Sequence, residues 1–208
     1  AVIGGGDGGT IREVLKHPSV ERAVLMEIDR RVVEASREFL PTISCGLDDP
    51  RVEIRIGDGL EHIRNSENEY DVVLIDSTEP VGAAGAATGL FSPEFYRYVG
   101  RALKEDGIMV AQTESPFYNQ DLIRRTYAGI RATFPITRLY LASVPTYPSG
   151  LWSFTLGSKR YDPLAVDPAR IRPLDTRYYT PQIHHAAFQL PRFVEELVRA
   201  VAAVEGGM

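Results

Sequence analysis

Val2-Ile3-Gly4-Gly5-Gly6-Asp7-Gly8-Gly9-Thr10-Ile11 is the stretch from which the fold is read. Val2-Ile3 reads as the end of a β-strand, and Thr10 to Lys16 as a short helix that Pro18 helps to terminate. Glycines at a strand-to-helix turn permit positive φ and let a ligand approach the backbone without meeting a Cβ. Five glycines in six positions carry a large entropic cost, which argues for a turn that is used rather than a bare reversal of the chain. Gly4, Gly6 and Gly9 meet the GxGxxG spacing, but Asp7 places a carboxylate where a pyrophosphate would sit. Helix N-termini favour anions, so a carboxylate there competes with a phosphate and suits a ligand that carries positive charge. No Gly-Lys-Ser/Thr follows, which excludes a P-loop.

Outward from this turn the chain alternates. Ala23 to Ile28, Val52 to Ile56 and Tyr70 to Ile75 read as strands, and Arg30 to Phe39 and Leu60 to Ile63 as helices between them. Val72-Val73-Leu74-Ile75 is the continuous aliphatic run of a strand buried on both faces. Beyond a Gly/Ala-rich loop from Val81 to Gly89, a helix over Pro93 to Leu103 is predicted, with Ser92 as N-cap and Pro93 at its first position. A strand over Ile108 to Gln112 and a helix over Gln120 to Phe134 follow. Thr137 to Val144 and Trp152 to Gly157, joined by Pro145 to Gly150, read as antiparallel strands. Pro163 to Pro181 reads as loop and Arg192 to Val204 as a final helix. The pattern predicts one α/β domain over residues 1–208, an open, mostly parallel sheet with helices on both faces and an antiparallel strand pair at its C-terminal end.

Composition narrows the class. The 208 residues are 44% hydrophobic and 25% charged, the balance of a soluble globular protein. A net charge of −5 without a basic stripe argues against a nucleic-acid partner. No apolar run approaches the roughly 20 residues that cross a bilayer, and no signal peptide is evident; a cytoplasmic location is the expectation. Cys45 is the single cysteine, so neither an internal disulfide nor a CxxC metal site is expected. His17, His62, His184 and His185 lack the spacing of a zinc set and are expected to be structural.

Acidic residues gather at predicted strand ends, where open α/β sheets bind their ligands. Glu27 ends the second strand, where a carboxylate can accept both ribose hydroxyl protons. Asp58, in Gly57-Asp58-Gly59, can accept from an adenine amine, cap the helix that follows, or do both. Asp76 ends the most apolar strand, where a half-buried carboxylate is costly unless paired. A cationic amine would pair it; capping of the next turn is the rival use.

These residues resemble the spermidine synthase family of polyamine aminopropyltransferases. The resemblance runs from Ala1 to about Leu197. It is carried by Gly4 to Gly9, Glu27-Ile28-Asp29, Gly57-Asp58-Gly59, Asp76-Ser77-Thr78-Glu79-Pro80, Pro145-Thr146-Tyr147-Pro148-Ser149-Gly150, and Tyr178-Tyr179 followed by His184 to Phe188. It implies a Rossmann-like fold shared with nucleoside-dependent methyltransferases, and transfer of an aminopropyl group from decarboxylated S-adenosylmethionine to putrescine. Neither a metal nor a further cofactor is implied, since the sulfonium is its own leaving group.

Carried over by residue, the resemblance puts Gly4, Gly6, Asp7, Glu27, Asp58 and Gly59 at the donor nucleoside. Asp7 would hold the amino group of the aminopropyl chain, Glu27 the ribose hydroxyls and Asp58 the adenine amine. Asp76 would bind and deprotonate the attacking amine with Tyr147 beside it. Glu79 would hold the far end of the diamine, and Gln112 and Glu114 would stand near its channel. A homodimer or higher homo-oligomer is implied as well. Two departures stand out. The gate loop from Glu79 to Phe91 lacks the family's second proline and reads about two residues longer, and the family's small N-terminal β-domain has no counterpart in these residues. The alternatives are an S-adenosylmethionine-dependent N-methyltransferase of a small amine, and a non-catalytic nucleoside-binding homologue.

Overall fold

The computed structural model describes residues 1–78 and 88–205. In chain order the strands are β1 (Val2–Gly4), β2 (Ala23–Glu27), β3 (Val52–Ile56), β4 (Tyr70–Asp76), β5 (Leu103–Gln112), β6 (Ile136–Ser143) and β7 (Leu151–Ser158). The helices are α1 (Gly9–Val14), α2 (Arg30–Phe39), α3 (Pro41–Ser44), α4 (Gly59–Asn65), α5 (Pro93–Ala102), α6 (Gln120–Arg131), α7 (Pro181–Ala186) and α8 (Arg192–Glu205). The sheet order is β3-β2-β1-β4-β5-β7-β6. The pairings among β1 to β5 are parallel, and β7 runs antiparallel to both β5 and β6. The predicted fold class holds.

Alternation along the strands separates two faces. Ile3, Val24, Met26, Val73, Ile75 and Met109 pack with Ile63, Phe95, Tyr96 and Val99, so this core lies under α4 and α5. Val2, Ala23 and Leu25 point the other way and pack with Ile11, Val33 and Leu47 on the side of α1 and α2. The period of two along a strand produces this division from a short apolar run. A third cluster joins Ile123 and Tyr127 of α6 to Leu139 of β6 and to Val194 and Leu197 of α8.

The caps of α2, α4 and α5 follow from local chemistry. Asp29 accepts from Arg31 N, Asp58 from Leu60 N and Ser92 from Phe95 N. Each short polar side chain satisfies a backbone donor that the first turn leaves without a partner.

Some expectations need correction. Val72 is 43% exposed although its aliphatic run predicts burial on both faces. It shares the α1 side of the sheet, and α1 has only six residues to cover it. β5 begins at Leu103, directly after α5 and five residues before the predicted start, because Leu103 pairs with Tyr70 across a register shift. The stretch predicted as loop over 163–181 holds two 3-10 turns, Pro163–Ala165 and Pro168–Arg170, each capped by an aspartate. α7 follows this stretch, with Thr180 as its cap and Pro181 at the first helical position. The order of the antiparallel pair, which the sequence leaves open, places β7 beside β5 and β6 at the edge of the sheet.

The inner position of β7 demands a small residue at Gly157. A Cβ there would stand 2.7 Å from Ile130 Cγ2 and 2.7 Å from Phe134 Cδ2. Both neighbours are buried and cannot yield freely. G157A is expected to lower unfolding stability by roughly 1–3 kcal/mol, the usual cost of overpacking. Urea denaturation checks it, and an unchanged midpoint would refute the tight packing.

Candidate active site

The sheet order reverses between β1 and β4. From β1 the chain steps outward through β2 to β3, then returns to place β4 on the other side of β1. The crevice outside the carboxyl ends of these two strands is where ligands of such sheets bind. In the β1–β4 register Gly4 lies opposite Asp76, so the glycine turn and the end of the apolar strand meet at one level.

Their contact explains the glycines in a way the sequence does not. A Cβ on Gly4 would stand 2.3 Å from the Asp76 carbonyl oxygen, and one on Gly5 would stand 2.7 Å from Asp76 Oδ2. A Cβ on Gly6 would stand 2.5 Å from Glu27 Oε2. The glycines thus admit two carboxylate-bearing residues of the protein itself, whereas the sequence suggests room for a ligand. Gly4 and Gly5 have φ of 80° and 67° as well, which a β-carbon disfavours. Gly59 is constrained by packing, since its Cβ would meet Ile3 Cγ2 at 2.5 Å.

Glu27 is only 7% exposed. Its Oε2 accepts from Gly6 N at 3.1 Å and its Oε1 from Asp29 N at 3.0 Å. Two backbone donors fix the plane of the carboxylate and leave further lone pairs on each oxygen. Ile28 beside it is 61% exposed, an apolar surface next to the acid. Asp58 Oδ1 caps α4 through Leu60 N at 2.8 Å, so the capping use is realised. Asp7 Oδ1 accepts from Gly9 N at 2.9 Å, which holds the side chain over the start of α1.

Asp7 and Asp76 line one cavity of about 480 Å³ together with Thr10, Arg12, Glu13, His17 and Leu74. Thr10 Oγ1 donates to Asp76 Oδ2 at 2.6 Å. Burial pushes the Asp76 carboxyl above the usual aspartate range; the Thr10 hydrogen bond pulls it back down, and the charge of Asp7 adds to the rise. Two carboxylates facing one cavity are a receptor for cationic groups. A larger cavity of about 920 Å³ adjoins it, lined by Arg12, Lys16, His17, Arg172 and Arg177. Its charge has the wrong sign for an ammonium, so size does not mark the site.

Tyr147 lies in the turn between β6 and β7 and stacks on Trp152, with ring centroids 4.0 Å apart and planes 18° from parallel. Trp152 Nε1 donates to Gln112 Oε1 at 3.1 Å, and Gln112 Nε2 donates to Ser77 O at 2.9 Å. Gln112 Oε1 accepts from Glu114 N at 3.3 Å too. The Gln112 amide is therefore a brace between the peptide after Asp76 and the ring beneath Tyr147, a use its sequence position does not reveal. Glu114 is 1% exposed, adopts φ of 75° and accepts from Asn119 Nδ2 at 2.6 Å. Glu79 and most of the gate loop lie outside the described residues.

Thr10 and Trp152 carry no sign in the sequence that they belong to the site. Neither titrates in the usual range, and nothing in the sequence shows that Thr10 meets a residue 66 positions away. His62 bonds Tyr70 Oη at 2.6 Å, and His184 bonds Tyr179 Oη at 2.9 Å and Pro163 O at 2.9 Å, which are structural contacts.

Comparison with known proteins assigns the chain to a family. A family model for the spermine/spermidine synthase domain matches residues 1–166. The chain belongs to the spermine/spermidine synthase family. Among family members, the polyamine aminopropyltransferase of Moorella thermoacetica is 62% identical over 199 residues, 96% of this chain and 69% of that protein. The polyamine aminopropyltransferase of Caldicellulosiruptor bescii is 59% identical over 199 residues, 96% of this chain and 70% of that protein. A crystal structure of a spermidine synthase in complex with the transition state analogue AdoDATO superposes with a TM-score of 0.91 at 50% identity, covering 96% of this chain and 68% of the other. The spermidine synthase of Thermotoga maritima gives 0.86 at 48%, covering 95% and 66%. Among the described residues, no helix is long and apolar enough to cross a membrane.

An ionised Asp76 works against the fold. A folded-state pKa raised above the unfolded value means that its negative form is held less well in the native state. The loss of stability is present at neutral pH, fades as pH falls through the raised folded-state pKa, and is gone once pH lies below the ordinary aspartate value of about 3.9. D76N is expected to melt above the parent at neutral pH, because it keeps the shape of the side chain and has no charge to hold away from water. Near pH 3 the difference should vanish, since the parent is then protonated too. Thermal scans at the two pH values check it, and a D76N variant that melts lower at neutral pH would contradict the burial argument.

Proposed function

We propose that this chain transfers the aminopropyl group of decarboxylated S-adenosylmethionine to putrescine, giving spermidine and methylthioadenosine. The observation that carries this reading is the pair Asp7 and Asp76 facing one cavity at the switch point of the sheet. Family membership and the relatives named above support it. The residues over 1–208 are read as one catalytic unit, and a homodimer or higher homo-oligomer is proposed from the family resemblance.

In this reading Glu27 binds the ribose hydroxyls through the lone pairs its two backbone donors leave open. Asp58 accepts from the adenine amine with the oxygen that does not cap α4. Gly4, Gly6 and Gly59 serve the donor indirectly, by allowing the close packing that sets Asp76, Glu27 and Ile3 in place. Asp7 takes the ammonium of the aminopropyl chain. Asp76 takes the attacking nitrogen, with Tyr147 beside it and Gln112 bracing both. Glu79 is proposed, from the resemblance alone, to hold the distal ammonium.

The chemistry sets what Asp76 must supply. An alkylammonium has a pKa near that of lysine, about 10.4, and no lone pair for attack until a proton leaves. The amine nitrogen forms a bond to the carbon beside sulfur, the C–S bond breaks, and its electron pair neutralises the sulfonium. The nitrogen proton passes to Asp76. A carboxylate raised by burial is the better match as acceptor, and alignment for in-line displacement supplies much of the remainder. Asp7 also disfavours the methyltransferase alternative, because intact S-adenosylmethionine would place its carboxylate against another.

Activity is tested by incubating decarboxylated S-adenosylmethionine and putrescine with the protein, and measuring spermidine and methylthioadenosine. Absence of both products would overturn the reading. D76N is expected to lose roughly 10²–10⁴-fold in kcat while nucleoside affinity stays nearly unchanged. E27Q should do the reverse and weaken methylthioadenosine binding by about 1–3 kcal/mol in calorimetry. An E27Q protein that binds normally would remove Glu27 from the donor site.

A further inference from the structure

We propose that Thr10 is a positioning residue for this reaction: its hydroxyl fixes one oxygen of the Asp76 carboxylate and leaves the other to receive the acceptor amine. The proposal rests on the reading of Asp76 as the base.

Three features of the site carry it. Thr10 Oγ1 lies 2.6 Å from Asp76 Oδ2, the short distance of a hydroxyl donating to a charged acceptor. Gly5 packs against the same oxygen, leaving no room for a Cβ, so Oδ2 is enclosed between the glycine turn and α1. Oδ1 makes no hydrogen bond among the described residues, and Asp76 lines the cavity it shares with Asp7. The carboxylate thus has one oxygen tied to the protein and one open, and Thr10 decides which is which. A carboxylate free to rotate about its χ2 would offer the amine a smeared acceptor, and small errors of alignment are costly in a displacement reaction.

The same bond tunes basicity. Burial and the charge of Asp7 both favour the protonated acid, and the Thr10 hydroxyl favours the carboxylate. Without it more of Asp76 would be protonated and unable to accept. The charged and titratable groups that share the cavity are Asp7 from the glycine turn and Arg12, Glu13 and His17 from α1 and the residues after it. β1 and β5 contribute Gly4 and the uncharged Gln112 on their sides.

The experiment uses the full-length enzyme with T10V, which keeps the shape and removes the hydroxyl, and T10S, which keeps the hydroxyl. In T10V the acid limb of kcat/KM should move to higher pH, and the plateau should fall about tenfold, the scale of one hydrogen bond to a charged group. T10S should restore both, and methylthioadenosine affinity should be unchanged in either variant. A carbon-13 titration of the Asp76 carboxyl, assigned by its loss in D76N, should move upward in T10V without any turnover. A titration and an acid limb unmoved in T10V would overturn the proposal, as would a T10S enzyme as impaired as T10V. If D76N itself keeps normal kcat, it is the assignment of the base that fails, and the carbon-13 titration still decides whether Thr10 holds Asp76.

Discussion

Gly4 and Asp76 face each other across neighbouring parallel strands, and that pairing holds the candidate site together. It brings a turn without side chains against the carboxylate that ends the most apolar strand. The approach is close enough that a Cβ at Gly4, Gly5 or Gly6 would overlap an oxygen of Asp76 or Glu27. The glycine turn therefore does two things. It allows positive φ at Gly4, Gly5 and Gly8, and it lets acidic groups pack on the backbone at the start of α1. Other parts of the site follow from this contact, including the reach of Thr10 to Asp76 and the bond from Gly6 N to Glu27.

A cluster of this kind is held against its own electrostatics. Asp7 and Asp76 repel, and Asp76 is largely withdrawn from water. The protein answers with uncharged donors: the Thr10 hydroxyl for Asp76, and backbone N–H groups for Asp7 and Glu27. No arginine or lysine is bonded to any of these three acids among the described residues. A salt bridge would neutralise the charge that a cationic substrate must find. Neutral hydrogen bonds orient the carboxylates and leave their charge available, a familiar sacrifice of stability for function.

The antiparallel end of the sheet contributes an aromatic wall. Trp152 is buried on the inner strand β7, Tyr147 stacks on it from the turn, and Gln112 at the end of β5 ties the pair back to Ser77. Through this brace the turn carrying Tyr147 is registered against the strand carrying Asp76, although the two are far apart in sequence. The inner position of β7 makes this possible, since an outer β7 would leave Trp152 beyond the reach of Gln112.

The sequence by itself determined the strand and helix alternation, the switch from parallel to antiparallel strands, and the acidic residues at the strand ends. These are legible because period-two burial, helix capping and turn chemistry act over a few residues: Ser92-Pro93 and Asp58 are cases where the local signal and the structure coincide. Tertiary structure alone decided what the glycines are for, that Gln112 is a brace, that Val72 is left partly exposed, and that Thr10 reaches Asp76. Each of these depends on which strands become neighbours and at what register. Register is set by the burial of whole faces, a property of the assembled sheet that no local window of residues contains.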